Sequence, residues 1–286
     1  MKKIVIASIL ALVLVLSLVG VASAITNGEP DGDNHPYVGL LIFDDEDGPA
    51  WRCSGALLSP TLVLTAGHCT DGAVAARIWM DEGPIPSYLD NPPGEYPFGG
   101  TTSYEGIPYT NPKYRSDENP YGGGNGLPAF SYRDVGVVVL TEPVPTSVVD
   151  EYAALPLAGT VDTLKNRSDI DFVGYGVQYQ AQIPGMYLPS PPPYFRWTGL
   201  RQRMYAPSEM VSGNFVHSAE YMRLSLNPGG GKGGTCFGDS GGPDLLGGTD
   251  TVLAVNSYVT NINCSGVGYS SRVDIQEVLD WINSFP

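Results

Sequence analysis

Positive charge is scarce in this chain. Of its 286 residues only 15 are Lys or Arg, against 30 Asp or Glu, a formal net charge of −15. Neutralising phosphates takes clustered cations, so a nucleic-acid partner is excluded. Charged residues of both signs make up 16% and hydrophobic ones 42%, a balance that speaks against wholesale disorder. Histidine occurs three times and cysteine four times, with no C-x-x-C pair, so disulfides are favoured over zinc. The 36 Gly and 25 Pro are hostile to long helices and friendly to short strands joined by turns. A helical bundle and a coiled coil are set aside. No internal repeat stands out, and after Val21 no apolar run is long enough to cross a membrane.

What is present begins with export. Met1-Lys2-Lys3 precedes an apolar run from Ile4 to Val21, and Ala22-Ser23-Ala24 supplies the small-x-small pattern of a cleavage site. Residues 1–24 therefore read as a signal peptide rather than a retained anchor. No Cys follows the run, so a lipoprotein anchor is unsupported. The expected product starts at Ile25, is secreted, and makes no membrane contact after cleavage. Removing Lys2 and Lys3 leaves 13 basic residues against 30 acidic. In an exported chain the even set Cys53, Cys69, Cys236 and Cys264 reads as two disulfides, and the count alone leaves three pairings open.

Short strands are expected at Tyr37 to Phe43, Trp51 to Leu58, Thr61 to Thr65, Ile170 to Val177 and Thr251 to Val259. Val135 to Leu140 reads as a strand buried on both faces. Residues 81–128 hold nine Gly, nine Pro and six Tyr and read as long surface loops, as does the Pro-rich Pro184 to Pro193. One helix is expected near the C-terminus. There Ile275, Val278, Leu279 and Ile282 share a face, and Asp274 with Glu277 resembles a capping box. Many strands and one terminal helix make an all-β barrel or sandwich.

Three segments carry chemistry: Thr65-Ala66-Gly67-His68-Cys69, Asp134 at the mouth of its apolar run, and Gly238-Asp239-Ser240-Gly241-Gly242-Pro243. A serine hydroxyl is a weak nucleophile until an imidazole takes its proton, and a carboxylate must hold that imidazole in the right tautomer. Glycines around Ser240 leave backbone N–H groups free to face a developing oxyanion. Chain order tests the rivals. In an α/β-hydrolase the His follows the Ser, but the last His here is His217. A subtilisin-like order could draw on Asp31, Asp33, Asp44, Asp45 or Asp47, but its α/β fold wants helices this chain lacks. His35 and His217 read as ordinary loop or surface residues.

In these motifs the chain resembles the chymotrypsin-like serine endopeptidases of trypsin fold. Ile25-Thr26-Asn27-Gly28, Cys53-Ser54-Gly55-Ala56-Leu57-Leu58, Asn111-Pro112-Lys113-Tyr114, Gly174-Tyr175-Gly176 and Ser257-Tyr258 before Cys264 extend the resemblance over nearly all of residues 25–286. The resemblance implies two six-stranded antiparallel Greek-key β-barrels with the active site between them and a C-terminal α-helix. Residues 25–145 would form the barrel carrying His68 and Asp134, and residues 146–286 the barrel carrying Ser240. His68 would be general base, Asp134 its orienting carboxylate, and Ser240 the nucleophile. The N–H groups of Gly238 and Ser240 would form the oxyanion hole. The implied disulfides are Cys53 to Cys69 and Cys236 to Cys264.

The resemblance also implies activation by a new terminus, the Ile25 ammonium pairing with Asp239. Since the signal cut itself frees Ile25, export and activation would be one event. Gly234, followed by Thr235, stands where basic-specific relatives carry an Asp. Asp244 is the only nearby acid and is poorly placed to replace it. Val259 after Ser257 and Tyr258 would narrow the pocket, so neutral apolar residues are expected, smaller aliphatics before aromatics. An insertion at about Ser116 to Tyr132 would overhang the non-primed side of the cleft. Asp44 to Asp47 and Asp81-Glu82 offer carboxylates to calcium, yet a solvated acidic loop is the preferred reading. No metal or cofactor is required, and a monomer acting on proteins or peptides is expected. The competing functions are a non-cleaving homologue that binds a partner, and an esterase or acyltransferase on the same triad.

Overall fold

The computed structural model of the protein describes residues 25–86, 102–114, 132–182, 195–198, 200–211 and 218–286. The expected signal segment, His217 and all but Tyr132 of the expected insertion lie outside the described residues.

The first half is a closed barrel of six strands. In chain order these are β2 (Val38–Asp45), β3 (Gly48–Ser59), β4 (Leu62–Thr65), β5 (Ala75–Trp79), β6 (Ser103–Thr110) and β7 (Gly136–Leu140), arranged β2-β3-β4-β7-β6-β5. A tight turn at Glu46 and Asp47 joins β2 to β3, and Phe43 faces Trp51 across that hairpin with the rings stacked 6.3 Å apart. Such aromatic cross-strand pairs hold register. Strand β7 is buried between β4 and β6, as its unbroken apolar run requires.

Strand β6 corrects the reading of 81–128 as surface loop. Within it Glu105, Ile107 and Tyr109 are exposed while Gly106 is buried, a two-residue alternation. The Gly and Pro content of the whole stretch masked this local period. Without β6 the barrel would not close, because it alone bridges β5 to β7.

The second half is a seven-stranded sheet. It adds β1 (Glu29–Pro30), β8 (Asp169–Gly174), β11 (Met204–Glu209), β12 (Tyr221–Ser225), β13 (Pro243–Leu246), β14 (Val252–Val259) and β15 (Val267–Arg272), in the order β1-β11-β8-β13-β14-β15-β12. A short hairpin of β9 (Tyr179–Gln182) and β10 (Phe195–Thr198) stands apart from it. One isolated bridge, Met210 to Leu224, links the end of β11 to the edge strand β12, so the sheet curls toward a ring of six strands. Its interior packs Ile25, Ile170, Phe172, Met204, Met222, Leu224 and Leu253.

Buried polar links hold the halves together. Arg203 at the start of β11 is 1% exposed; it donates from Nε to Asp31 and from its terminal nitrogens to the carbonyls of Val38, Met80 and Gly32. Asp31 also holds His35, whose Nδ1 lies 2.5 Å from the carboxylate and whose ring stacks on Tyr205. His35 is thus part of the join between the halves and not an ordinary loop residue.

A single helical turn, α1 (Gly67–Thr70), follows β4, and α2 (Gln276–Ile282) lies near the C-terminus, with Val278, Leu279 and Ile282 buried as the periodicity demands. The expected capping box does not form. Ile275 is the N-cap, and Asp274 is held elsewhere, accepting from Arg272 and from the Val161 N–H. Two disulfides, Cys53–Cys69 and Cys236–Cys264, join all four cysteines. Among the described residues no helix is long and apolar enough to cross a membrane.

Candidate active site

The residues that sequence singles out converge where the barrel meets the sheet. His68 sits in α1, a single turn entered directly from β4 and pinned to β3 by the Cys53–Cys69 bridge. The Trp51 indole N–H donates to the Cys69 carbonyl at 2.8 Å and adds a second tie. Asp134 lies just ahead of β7 and is fully buried. One carboxylate oxygen accepts the His68 backbone N–H at 2.7 Å, and the other is 2.9 Å from His68 Nδ1. Ser257, in β14, donates its hydroxyl to that second oxygen. Three donors from two elements of opposite halves therefore fix one carboxylate. A carboxylate only accepts, so the hydrogen of this His–Asp contact resides on Nδ1, which leaves the Nε2 lone pair basic.

Ser240 is in the turn that leads into β13. Its carbonyl accepts the Ser54 N–H at 2.8 Å and lies 3.7 Å from the Cys69 sulfur, which brings the turn against the residue next to His68. On the other side the Gly241 N–H donates to the Asn256 carbonyl at 2.8 Å, so β3 and β14 flank the turn. Gly241 has φ +75, and a Cβ there would stand 2.1 Å from the Thr65 hydroxyl. No other residue fits that position.

Asp239 is fully buried, and its oxygens accept the N–H groups of Gly176 at 2.8 Å and Cys236 at 2.9 Å. A Cβ at Gly176 would lie 2.3 Å from this carboxylate, which gives the Gly174-Tyr175-Gly176 motif its physical meaning. Burial pushes the Asp239 carboxyl up to about 7, against the two amide hydrogen bonds and the charge of Arg52, which pull it down. The Ile25 side chain is buried in the core of the second sheet, and among the described residues the hydrogen-bond donors to Asp239 are the Gly176 and Cys236 amides.

Gly234 exchanges backbone hydrogen bonds with Thr26, and Thr235 is buried. Val259 packs on the Cys236–Cys264 bridge beside Val177. Tyr258 stacks on Tyr269 at 4.7 Å, and Tyr221 meets both rings edge-on. This tyrosine cluster was not readable from sequence, because its members come from β12, β14 and β15. Burial raises the Tyr221 and Tyr258 hydroxyls far above the usual range. Asp244 points into the sheet interior, fully buried, and burial raises its carboxyl well above the usual range too. Among the described residues the one group of His, Cys, Asp or Glu close enough to share a metal is Cys53, His68 and Cys69, and both sulfurs are already disulfide-bonded.

Comparison with known proteins assigns the family. The model of the Trypsin family matches residues 25–282. The chain belongs to the trypsin family. It is 25% identical over 268 residues to chymotrypsin-like elastase family member 1 of Felis catus, covering 90% of this chain and 88% of that protein. A shorter match, 40% identical over 48 residues, is to the CLIP domain-containing serine protease HP8 of Bombyx mori; it spans 17% of this chain and 13% of that protein. Among solved structures the fold is shared with HL collagenase, with TM-score 0.65, 17% identity and coverage of 91% of this chain and 97% of the other. It is shared also with an inactivated protease paralogue of the scabies mite, with TM-score 0.56, 19% identity, and coverage of 93% and 97%. The trypsin family therefore accounts for the barrel, the curled sheet and the terminal helix together. It also makes proteins the natural class of substrate.

Proposed function

We propose that this trypsin-family protein is a secreted serine endopeptidase acting through His68, Asp134 and Ser240. The observation that carries the reading is the grip of buried Asp134 on both the backbone N–H and Nδ1 of His68, beside the Ser240 turn. An imidazole so oriented can accept a proton only at Nε2. As Ser240 Oγ attacks the scissile carbonyl carbon, its proton passes to Nε2. The carbonyl oxygen becomes an oxyanion received by the N–H groups of Gly238 and Ser240. Collapse breaks the C–N bond, the imidazolium gives its proton to the leaving amine, and an ester remains on Ser240. Water, deprotonated by the same Nε2, hydrolyses that ester. Asp134 keeps the ring oriented and balances the transient imidazolium.

Gly234, Thr235, Ser257, Tyr258 and Val259 line the proposed specificity pocket. With no acid at Gly234 and with Val259 and Val177 against the disulfide, the pocket suits neutral aliphatic side chains. Signal cleavage after Ala24 frees Ile25, whose ammonium then pairs with Asp239 and neutralises a buried carboxylate. The two disulfides suit an oxidising, extracellular setting.

The test compares casein with a simple ester as substrates for the secreted protein and its Ser240→Ala variant. Casein cleavage after aliphatic residues, lost in Ser240→Ala, is the expected result. Ester hydrolysis without casein cleavage assigns an esterase, and no turnover of either assigns a non-cleaving homologue.

A further inference from the structure

Two glycines adjoin residues of the proposed specificity pocket, and one leucine fills the side-chain space of both. Gly234 precedes Thr235 and Cys236, and Gly268 stands opposite Val259 in the β14–β15 ladder. A Cβ built on Gly234 would stand 2.7 Å from Leu226 Cα and 2.8 Å from Leu226 Cβ. A Cβ built on Gly268 would stand 2.9 Å from Leu226 Cδ2 and 3.3 Å from its Cδ1 and Cγ. The base of the Leu226 side chain thus closes on Gly234, and its tip closes on Gly268.

Leu226 reaches these glycines from the core. It is 1% exposed and belongs to the cluster of Ile25, Met222, Leu224 and Leu253, whereas Val259 is only half-buried. Its backbone is pinned just past the end of β12. The Leu226 N–H donates to the Gly266 carbonyl at 3.0 Å, and the Gly266 N–H donates to the Asn227 side-chain oxygen at 3.1 Å.

These contacts give Gly234 a second meaning. Where basic-specific relatives carry an Asp, this chain lacks the acid and also the room for one. A side chain there would have to displace the Leu226 backbone, and overpacking of that kind is destabilising. A cation reaching this depth would lose its water against the Leu226 side chain and gain no partner from it.

We propose that Leu226 is the floor of the specificity pocket and the residue that limits it to the smaller aliphatic side chains. Ala or Val fits above it, and an aromatic ring is stopped by it. This inference rests on the endopeptidase reading and adds to it the residue that sets the pocket's depth.

The experiment uses internally quenched peptides that differ only in the residue before the cut: Ala, Val, Leu, Met or Phe. The readout is the Phe/Val ratio of kcat/KM for the wild type, Leu226→Val, Leu226→Ala and Leu253→Ala. A missing methylene in an apolar pocket changes discrimination by about tenfold or more. The wild-type ratio is expected below one. It should rise about tenfold in Leu226→Ala, with the best substrate moving to Leu, Met or Phe, and rise less in Leu226→Val. Leu253 shares the core with Leu226 and is not among the atoms that crowd either glycine, so Leu253→Ala should keep the wild-type ratio. A general loss of folding lowers all five peptides together and leaves the ratio intact. Should Leu226→Ala fail to fold, Leu226→Val, the milder truncation, decides. A wild-type ratio above one, a ratio unmoved by the Leu226 variants, or an equal rise in Leu253→Ala overturns the inference, while cleavage lost in Ser240→Ala still upholds the endopeptidase. Absence of both cleavage and fluorophosphonate labelling removes the endopeptidase reading and this inference with it.

Discussion

Asp134 collects three donors, two from His68 and one from Ser257, while a neutral amide could accept only through its single oxygen. Asp134→Asn would present an NH2 group to one of those donors and force His68 toward the tautomer with its hydrogen on Nε2. The fold should survive and kcat should fall about 10^4-fold, the loss that the wrong histidine tautomer brings in a Ser-His-Asp triad. Steady-state kinetics on a casein-derived peptide checks this, and a loss below tenfold would mean that Asp134 does not set the tautomer. Asp239 offers a second test at the residue scale. Its proton affinity rises on folding, from an ordinary 3.8 to about 7. The stability it contributes is therefore full below pH 3.8 and is lost as the pH climbs through about 7, a loss of about 4 kcal/mol. Supplying the Ile25 ammonium should hold the carboxylate ionised and remove that loss. Denaturant unfolding from pH 4 to 8 should show the decline for Ser240→Ala protein beginning at Ala24 and not for the form beginning at Ile25. Equal pH slopes in the two forms would contradict the pairing.

Elements meet through residues far apart in sequence. Arg133, with φ +51, precedes Asp134 and pairs with the half-exposed Glu277 of α2 and the buried Glu220 beside β12. Lys113 also reaches Glu277, at 2.7 Å. These contacts lock the approach to β7 against the second sheet and the terminal helix. Burial raises the Glu220 carboxyl and the Arg133 charge opposes that rise. Removing one partner, as in Arg133→Met, should destabilise the protein by about 3–5 kcal/mol, and adding Glu220→Leu should restore part of it. Thermal unfolding of the single and double variants decides; a single variant within 1 kcal/mol of wild type (about a fivefold change in the folding equilibrium) would show the pair to be solvated. The strands that alternate or run apolar over a short window, such as β2 and β7, were legible from sequence. Strand β6 was obscured by the composition of its surroundings, and the capping box at Asp274 failed because Arg272 and the Val161 N–H compete for the same carboxylate.

At the scale of the whole molecule, the motifs around His68, Asp134 and Ser240 were legible because each is a contiguous run. Their convergence was expected only through a family resemblance, since no spacing within one run encodes a contact 66 residues away. The cysteine count left three pairings, and the fold selects one by bringing β3 to α1 and the segment before the Ser240 turn to the β14–β15 connection. The Arg203 and Asp31 join and the Arg133 and Glu220 pair span 172 and 87 residues, and isolated polar residues carry no mark of such partners. The central claim is that Ser240 is a nucleophile activated by His68 in the protein that starts at Ile25. Peptide mapping by mass spectrometry, after reaction of that protein with a fluorophosphonate, tests it most directly. The account predicts a single phosphonyl adduct on Ser240, suppressed in a His68→Ala variant. An adduct on another residue, or none in a folded protein beginning at Ile25, would contradict it.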